Sequence, residues 1–213
     1  MSLGEYATIS LPANPGGESQ DCIAQVSQKK QQYLLVADGA GGISGGKNAA
    51  NFAVGEVVSL VAKQNAPRNA EELRDFLVKL DFKISREKNS GETTLIVCVI
   101  EGTNLWGASV GDSEAWLVTS EYQNELTQYQ VRKPLLGSGL AIPTVFESHI
   151  DKETLVIGTD GIFNYIDRTK MLGNAANFEL IDDLEGFLEL PRDRNGMLYD
   201  DASIIVLRRN AEH

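Results

Sequence analysis

The stretch Gln31–Gly46 reads QQYLLVADGAGGISGG. An apolar run ends abruptly in one carboxylate, Asp38, and a segment almost without side chains follows. A short continuous apolar run of this kind reads as a buried strand. A carboxylate at the tip of such a strand is costly unless it is paired, hydrogen-bonded or bound to a cation. Taken alone, Asp-Gly reads as a turn. The reading changes when the rest of the chain repeats the pattern.

Asp160 follows TLVIGT and precedes Gly161, and Asp112 follows WGASVG. Asp200 stands just before ASIIVLRR, and Asp21 just before CIAQV. Five aspartates thus sit at the ends of apolar segments. Arginines or cations could compensate them. An all-oxygen set of carboxylate, carbonyl and water suits Mg²⁺ or Mn²⁺, whereas zinc sites usually carry His or Cys. The chain has two histidines, His149 in an expected strand and His213 at the end, so a Ser-His-Asp or Cys-His nucleophile is poorly supported. No Walker-type phosphate loop is present. Gly39, Gly41 and Gly42 would let the backbone turn and bring a carbonyl to an ion, while Gly45 and Gly46 leave room for a helix start.

Around these residues the periodicity predicts strands at Glu5–Ser10, in DCIAQVS and in QYLLVAD, the last two paired through a turn near SQKKQQ. Helical spacing of Ala49, Ala50, Ala53, Val57, Leu60 and Val61 predicts a helix over Lys47–Lys63. Asn69 caps a second helix with Leu73, Phe76, Leu77 and Leu80 on one face. The segment TTLIVCVIEGTNLWGASVGDSEAWLVT reads as three strands joined by turns at EGTN and GDSE. TVFESHI and TLVIGTD add two more strands, NAANFELIDDLEGFLEL a helix, and ASIIVLRR a last strand. Clustered strands with helix pairs between them indicate an α+β fold built on antiparallel sheet.

The 213 residues are expected to form one domain spanning 1–213. A net charge of −11 disfavours nucleic acid as a partner. No run reaches the about 18 apolar residues of a membrane span, and no secretory signal is visible. Cys22 and Cys98 read as two free thiols of a cytoplasmic protein, or as one disulfide. A monomer is the default.

In their order along the chain these motifs resemble the metal-dependent serine/threonine phosphatases of the PP2C (PPM) family. SQD resembles the family's N-terminal acidic motif and VADGAGGISGG its DGMGGH..G signature. GETTL and ASVGDSEAWL resemble its G.T and GDSR motifs, LVIGTDGIFNYI its SDG segment, and DDASIIVL its terminal DN.T motif. The resemblance runs from about Ser19 to Leu207 and matches compact bacterial members. It implies a four-layer αββα sandwich of two antiparallel sheets flanked by helices. It further implies a centre of two, with room for three, Mn²⁺ or Mg²⁺ ions. Carried over by position, Asp38 would bridge two ions and the Gly39 carbonyl would bind one. Asp160 and Asp200 would hold the other, Asp21 would bind directly or through water, and Asp112 would help hold a third. The implied activity is hydrolysis of phosphoserine or phosphothreonine in a protein substrate by a metal-activated water, with Asp38, Asp160 and Asp200 catalytic through the metals. No residue is assigned to the substrate.

Three positions depart from the family pattern. Ile43 stands where many members carry a His that can act as general acid. Gly16 stands where many carry a phosphate-gripping Arg, and Glu114 replaces the Arg of GDSR. Lys47 or Arg192 could supply the missing phosphate contact, or each could be a solvated surface cation. The departures leave a second reading open, in which a weakly active or inactive phosphatase fold serves as a regulatory binding module.

Overall fold

A computed structural model of the chain describes residues 4–40, 45–176, 184, 188 and 190–209. Among these residues ten strands and four helices follow in the order β1 (Gly4–Leu11), β2 (Cys22–Gln28), β3 (Gln31–Ala37), α1 (Gly46–Ala62), α2 (Ala70–Ile84), β4 (Leu95–Glu101), β5 (Asn104–Val110), β6 (Glu114–Val118), β7 (Gln123–Glu125), β8 (Thr144–His149), β9 (Thr154–Gly158), α3 (Asp160–Phe163), α4 (Arg168–Ala176) and β10 (Ala202–Arg209). The strands form two antiparallel five-stranded sheets, ordered β1-β10-β9-β6-β7 and β2-β3-β4-β5-β8.

The run that opened the sequence reading explains the layering. Side chains alternate across a strand. Tyr33, Leu35 and Ala37 of β3 pack under α1 and α2, with Leu95, Val97 and Val99 of β4 beside them. Leu34 and Val36 face the other way, into a core with Ile96, Cys98, Leu155, Ile157, Ile205 and Leu207. That core lies between the two sheets. A third cluster places Val156, Ile204 and Val206 against Ile162, Met171, Leu172 and Ala175 of α3 and α4. Leu184 and Leu188, both helical, join it. The result is helices, sheet, sheet, helices, as the resemblance implied. YLLVA is apolar throughout because both of its faces are covered. Leu34 is fully buried between the sheets, and its replacement by Ala would cost about 3 kcal/mol.

Both long helices form for local reasons that agree with their packing. α1 presents Ala49, Ala50 and Ala53 to the sheet, small residues that let it approach closely. The Asn69 side chain accepts the Glu72 N–H at 2.8 Å and caps α2. Glu71 and Glu72 lie in the first turn and Lys83 in the last, each sign suited to its end of the helix dipole.

Connectivity differs from the sequence expectation at the GDSE turn. GDSE is not a hairpin: β5 belongs to one sheet and β6 to the other, and Gly111, with φ of 104°, turns the chain across the gap. β8 and β9 likewise part, β8 pairing with β5 and β9 with β6 and β10. The expected helix from Asn174 onward begins inside α4; its remainder lies largely outside the described residues. Cys22 and Cys98 are free thiols. Among the described residues no helix is long and apolar enough to cross a membrane.

Candidate metal centre

Asp38 leaves the end of β3 with its backbone held at both polar groups. Its N–H donates to Thr94 Oγ1 at 2.9 Å. Its carbonyl accepts Thr94 N–H and Thr93 Oγ1, each at 2.8 Å. Thr94 Oγ1 is also 2.8 Å from Ser113 Oγ, and all three hydroxyl-bearing residues are buried. The GETTL and GDS motifs thus meet behind Asp38 as its support.

The side chain of Asp38 meets carboxylates from both sheets. Burial pushes its carboxyl up to about 10, and the charges of Asp21, Asp160 and Asp200 push in the same direction. A hydrogen bond joins it to Asp160. Asp21, just before β2, is raised to about 7 by burial first; its hydrogen bonds to Ser203 and Thr159 oppose the shift, and the nearby charge of Asp201 adds to it. Thr159 Oγ1 donates to Asp21 Oδ2 at 3.0 Å. Asp160 opens α3 and is raised by burial and by the charges of Asp112 and Asp200. Asn164 donates to its Oδ2 at 3.0 Å. Asp200, more exposed, is raised by burial and by Asp201. Asp21, Asp38, Asp112, Asp160 and Asp200 therefore form one acidic group at the same end of the sandwich.

Asp21 Oδ1 is buried without a hydrogen-bond partner. The strongest charges acting on Asp38 and Asp160 are other carboxylates. Such a group calls for positive charge. Among the described residues no three His, Cys, Asp or Glu side chains already close into a coordination shell. The donors are nonetheless all oxygen, one of them buried and unpartnered, which fits a hard dication of the Mg²⁺ or Mn²⁺ kind.

The two Asp-Gly steps have a packing cause. A Cβ on Gly39 would lie 2.4 Å from the Gly46 carbonyl carbon, and one on Gly161 would lie 1.8 Å from the Asp201 oxygen. Gly39 sits in a bridge to Thr93 whose hydrogen bonds use the Asp38 carbonyl and the Ala40 N–H, leaving the Gly39 carbonyl outside the ladder. The sequence reading assigned Gly39 to a sharp turn; close approach to the start of α1 is what the structure shows. Gly41, Gly42 and Ile43 lie outside the described residues.

The remaining sequence candidates fall elsewhere. His149 pairs with Asn104, at the end of β5 away from Asp112. Lys47 Nζ is tied to Glu18 at 2.5 Å, and Arg192 donates to the Gly196 carbonyl at 3.0 Å. Gly16 is exposed, with nothing within 4 Å of a Cβ built there. Glu114 is a strut: it accepts Trp116 Nε1 and Arg168 Nη2, each at 2.8 Å, and Arg168 lies over the Trp116 and Phe163 rings. The sequence reading missed two acceptors, Asp201 and Asp81. Asp81 was findable, because it falls with Leu77, Leu80 and Ile84 on the buried stripe of α2.

A family model described as protein phosphatase 2C matches residues 14–190. A serine/threonine phosphatase stp from Listeria innocua is 28% identical over 148 residues, 63% of this chain and 59% of the relative. The chain thus matches somewhat under two thirds of that relative's length. The structure of the S. agalactiae serine/threonine phosphatase superimposes with a TM-score of 0.79 at 20% identity, over 97% of this chain and 99% of the other. The catalytic domain of the serine threonine protein phosphatase PstP, in complex with 2 manganese ions, gives a TM-score of 0.74 at 15% identity, over 96% and 97%.

Proposed function

The chain belongs to the protein phosphatase 2C family, and from that premise we propose that it hydrolyses phosphoserine and phosphothreonine in a protein substrate, in bacterial signalling, with Mn²⁺ or Mg²⁺ as cofactor. One observation carries the reading: Asp38 feels the charges of Asp21, Asp160 and Asp200, beside a buried Asp21 oxygen without a hydrogen-bond partner among the described residues.

Asp38, the Gly39 carbonyl, Asp160 and Asp200 would hold two ions, with Asp21 beside them and Asp112 helping with a third. Bound there, such ions make water nucleophilic at neutral pH and offset charge on the phosphoryl oxygens. The chain's own part is orientation. Thr93 and Thr94 fix the Asp38 backbone, Thr159 sets the rotamer of Asp21, and Asn164 holds one oxygen of Asp160. Burial and mutual repulsion favour the protonated forms of Asp38 and Asp160, so bound cations would compete with protons there. No protein nucleophile is needed, in keeping with the position of His149 at the end of β8, opposite Asn104. Free thiols at Cys22 and Cys98 agree with a cytoplasmic setting.

The second reading, a binding module on a phosphatase fold, draws on Gly16, which stands where the family carries a phosphate-gripping arginine, and on Glu114 in place of the GDSR arginine. A p-nitrophenyl phosphate assay with Mn²⁺, EDTA and Asp38→Asn separates the two. Undiminished turnover in excess EDTA overturns the metal-dependent reading.

A further inference from the structure

α2 carries a carboxylate on its buried face. Asp81 is only 2% exposed, and it is satisfied by a single loop. Its Oδ1 accepts Gly137 N–H at 2.7 Å and Gly139 N–H at 3.0 Å, and its Oδ2 accepts Ala141 N–H at 2.9 Å. Charge-assisted bonds of this kind are the strong ones. The residue just before this loop, Leu136, exchanges both backbone hydrogen bonds with Thr93, at 2.9 and 3.1 Å. Thr93 in turn donates its hydroxyl to the Asp38 carbonyl at 2.8 Å and bridges Gly39. A Cβ on Gly137 would lie 2.4 Å from the Gly91 carbonyl, so the loop also packs tightly on the segment leading to Thr93.

We propose that Asp81 is a positioning residue for the acidic centre: by holding residues 137–141 it keeps Leu136 against Thr93 and so fixes the backbone of Asp38 and Gly39. Asp81 touches none of the carboxylates. It acts through one loop and one bridge, and it ties α2, an outer helix, to the tip of β3. The effect on catalysis rests on the phosphatase reading; the effect on the Asp38 backbone does not.

The test uses the full chain with Asp81→Asn, which keeps the volume and removes the charge, and follows amide hydrogen exchange. Exchange should quicken about tenfold at Thr93, Thr94 and Leu136 as well as at Gly137, Gly139 and Ala141, while β1–β10 amides stay as they were. The Mn²⁺ concentration for half-maximal activity should rise about tenfold, the scale of supporting contacts around metal ligands. Thr93→Val cuts the last link of the relay. In that background Asp81→Asn should add little to the loss of Mn²⁺ response, and Thr93→Val alone keeps the proposal falsifiable where Asp81→Asn fails to fold: it must itself raise the Mn²⁺ requirement. Faster exchange confined to residues 137–141, with Thr93 and Thr94 unchanged, would overturn the proposal. Equal, additive effects of the two substitutions would do the same. A wild-type chain without Mn²⁺-dependent turnover would instead count against the phosphatase reading, and the exchange pattern would still decide the role of Asp81.

Discussion

Asp201 Oδ2 accepts the backbone N–H of Gln20 at 2.6 Å, across 181 positions of sequence. Its other oxygen accepts Ala13 N–H, also at 2.6 Å. One carboxylate at the start of β10 thus pins both ends of the loop that delivers Asp21. Asp201→Ala removes two charge-assisted bonds, and a stability loss of about 2 kcal/mol follows. A urea denaturation series reads it. Unchanged stability and an unchanged Mn²⁺ requirement would show that the loop holds itself.

Asp38 interacts with carboxylates of both sheets, so its charge matters more than its volume. Asp38→Asn should fold normally and lose roughly a thousandfold in Mn²⁺-dependent turnover of p-nitrophenyl phosphate. EDTA in excess should abolish turnover in the wild type, and added Mn²⁺ should restore it.

The raised carboxyls give a sign to the pH dependence. In the ion-free protein Asp21 titrates at about 7, above its usual 3.8. Folding therefore favours its protonated form. That stability is fully present below about pH 4 and is lost as pH rises through 7. A cation competes with the same proton. The increase in melting temperature on adding Mn²⁺ should be larger at pH 8 than at pH 6. A larger shift at pH 6 would mean that the ion binds elsewhere.

Gly161→Ala tests the seam between α3 and β10. Its Cβ would fall 1.8 Å from the Asp201 carbonyl oxygen, so backbone must move. A loss of about 3 kcal/mol is expected, at the upper end of overpacking costs. Asp160 and Asp201 flank the contact, so the Mn²⁺ requirement should rise as well. Gly173→Ala, where a Cβ meets nothing within 4 Å, is the matched control.

How much of this could be read from the chain follows from the physics of each part. α1, α2, β3 and β4 were legible because apolar spacing records which faces are covered. Their partners were not. A turn such as GDSE looks alike whether it closes a hairpin or crosses between sheets, and the difference lies in a positive φ at Gly111. β7, three residues long, and α3, four, are too short for any period to show. The aspartates at strand ends were visible one by one. Their convergence depends on strand order, which is long-range. Glu114 read as a lost arginine, and only the fold reveals Arg168 beside it. Asp81 stands out on the buried stripe of α2, but its partners, like those of Asp201, are backbone N–H groups, which leave no trace in side-chain spacing.

The pairing of β1 with β10 joins Gly4 to Arg209, and it has a consequence for biosynthesis. Asp21 and Asp38 emerge early from the ribosome, yet Asp160 and Asp200 arrive with the sheet that β10 completes. Until that strand docks, β1 has no partner and the early aspartates face no opposing pair. Long-range pairing of this kind is slow to form. A chain lacking β10 leaves β1 unpaired and Asp200 without the strand that carries it, so such a truncated chain should show no Mn²⁺-dependent turnover.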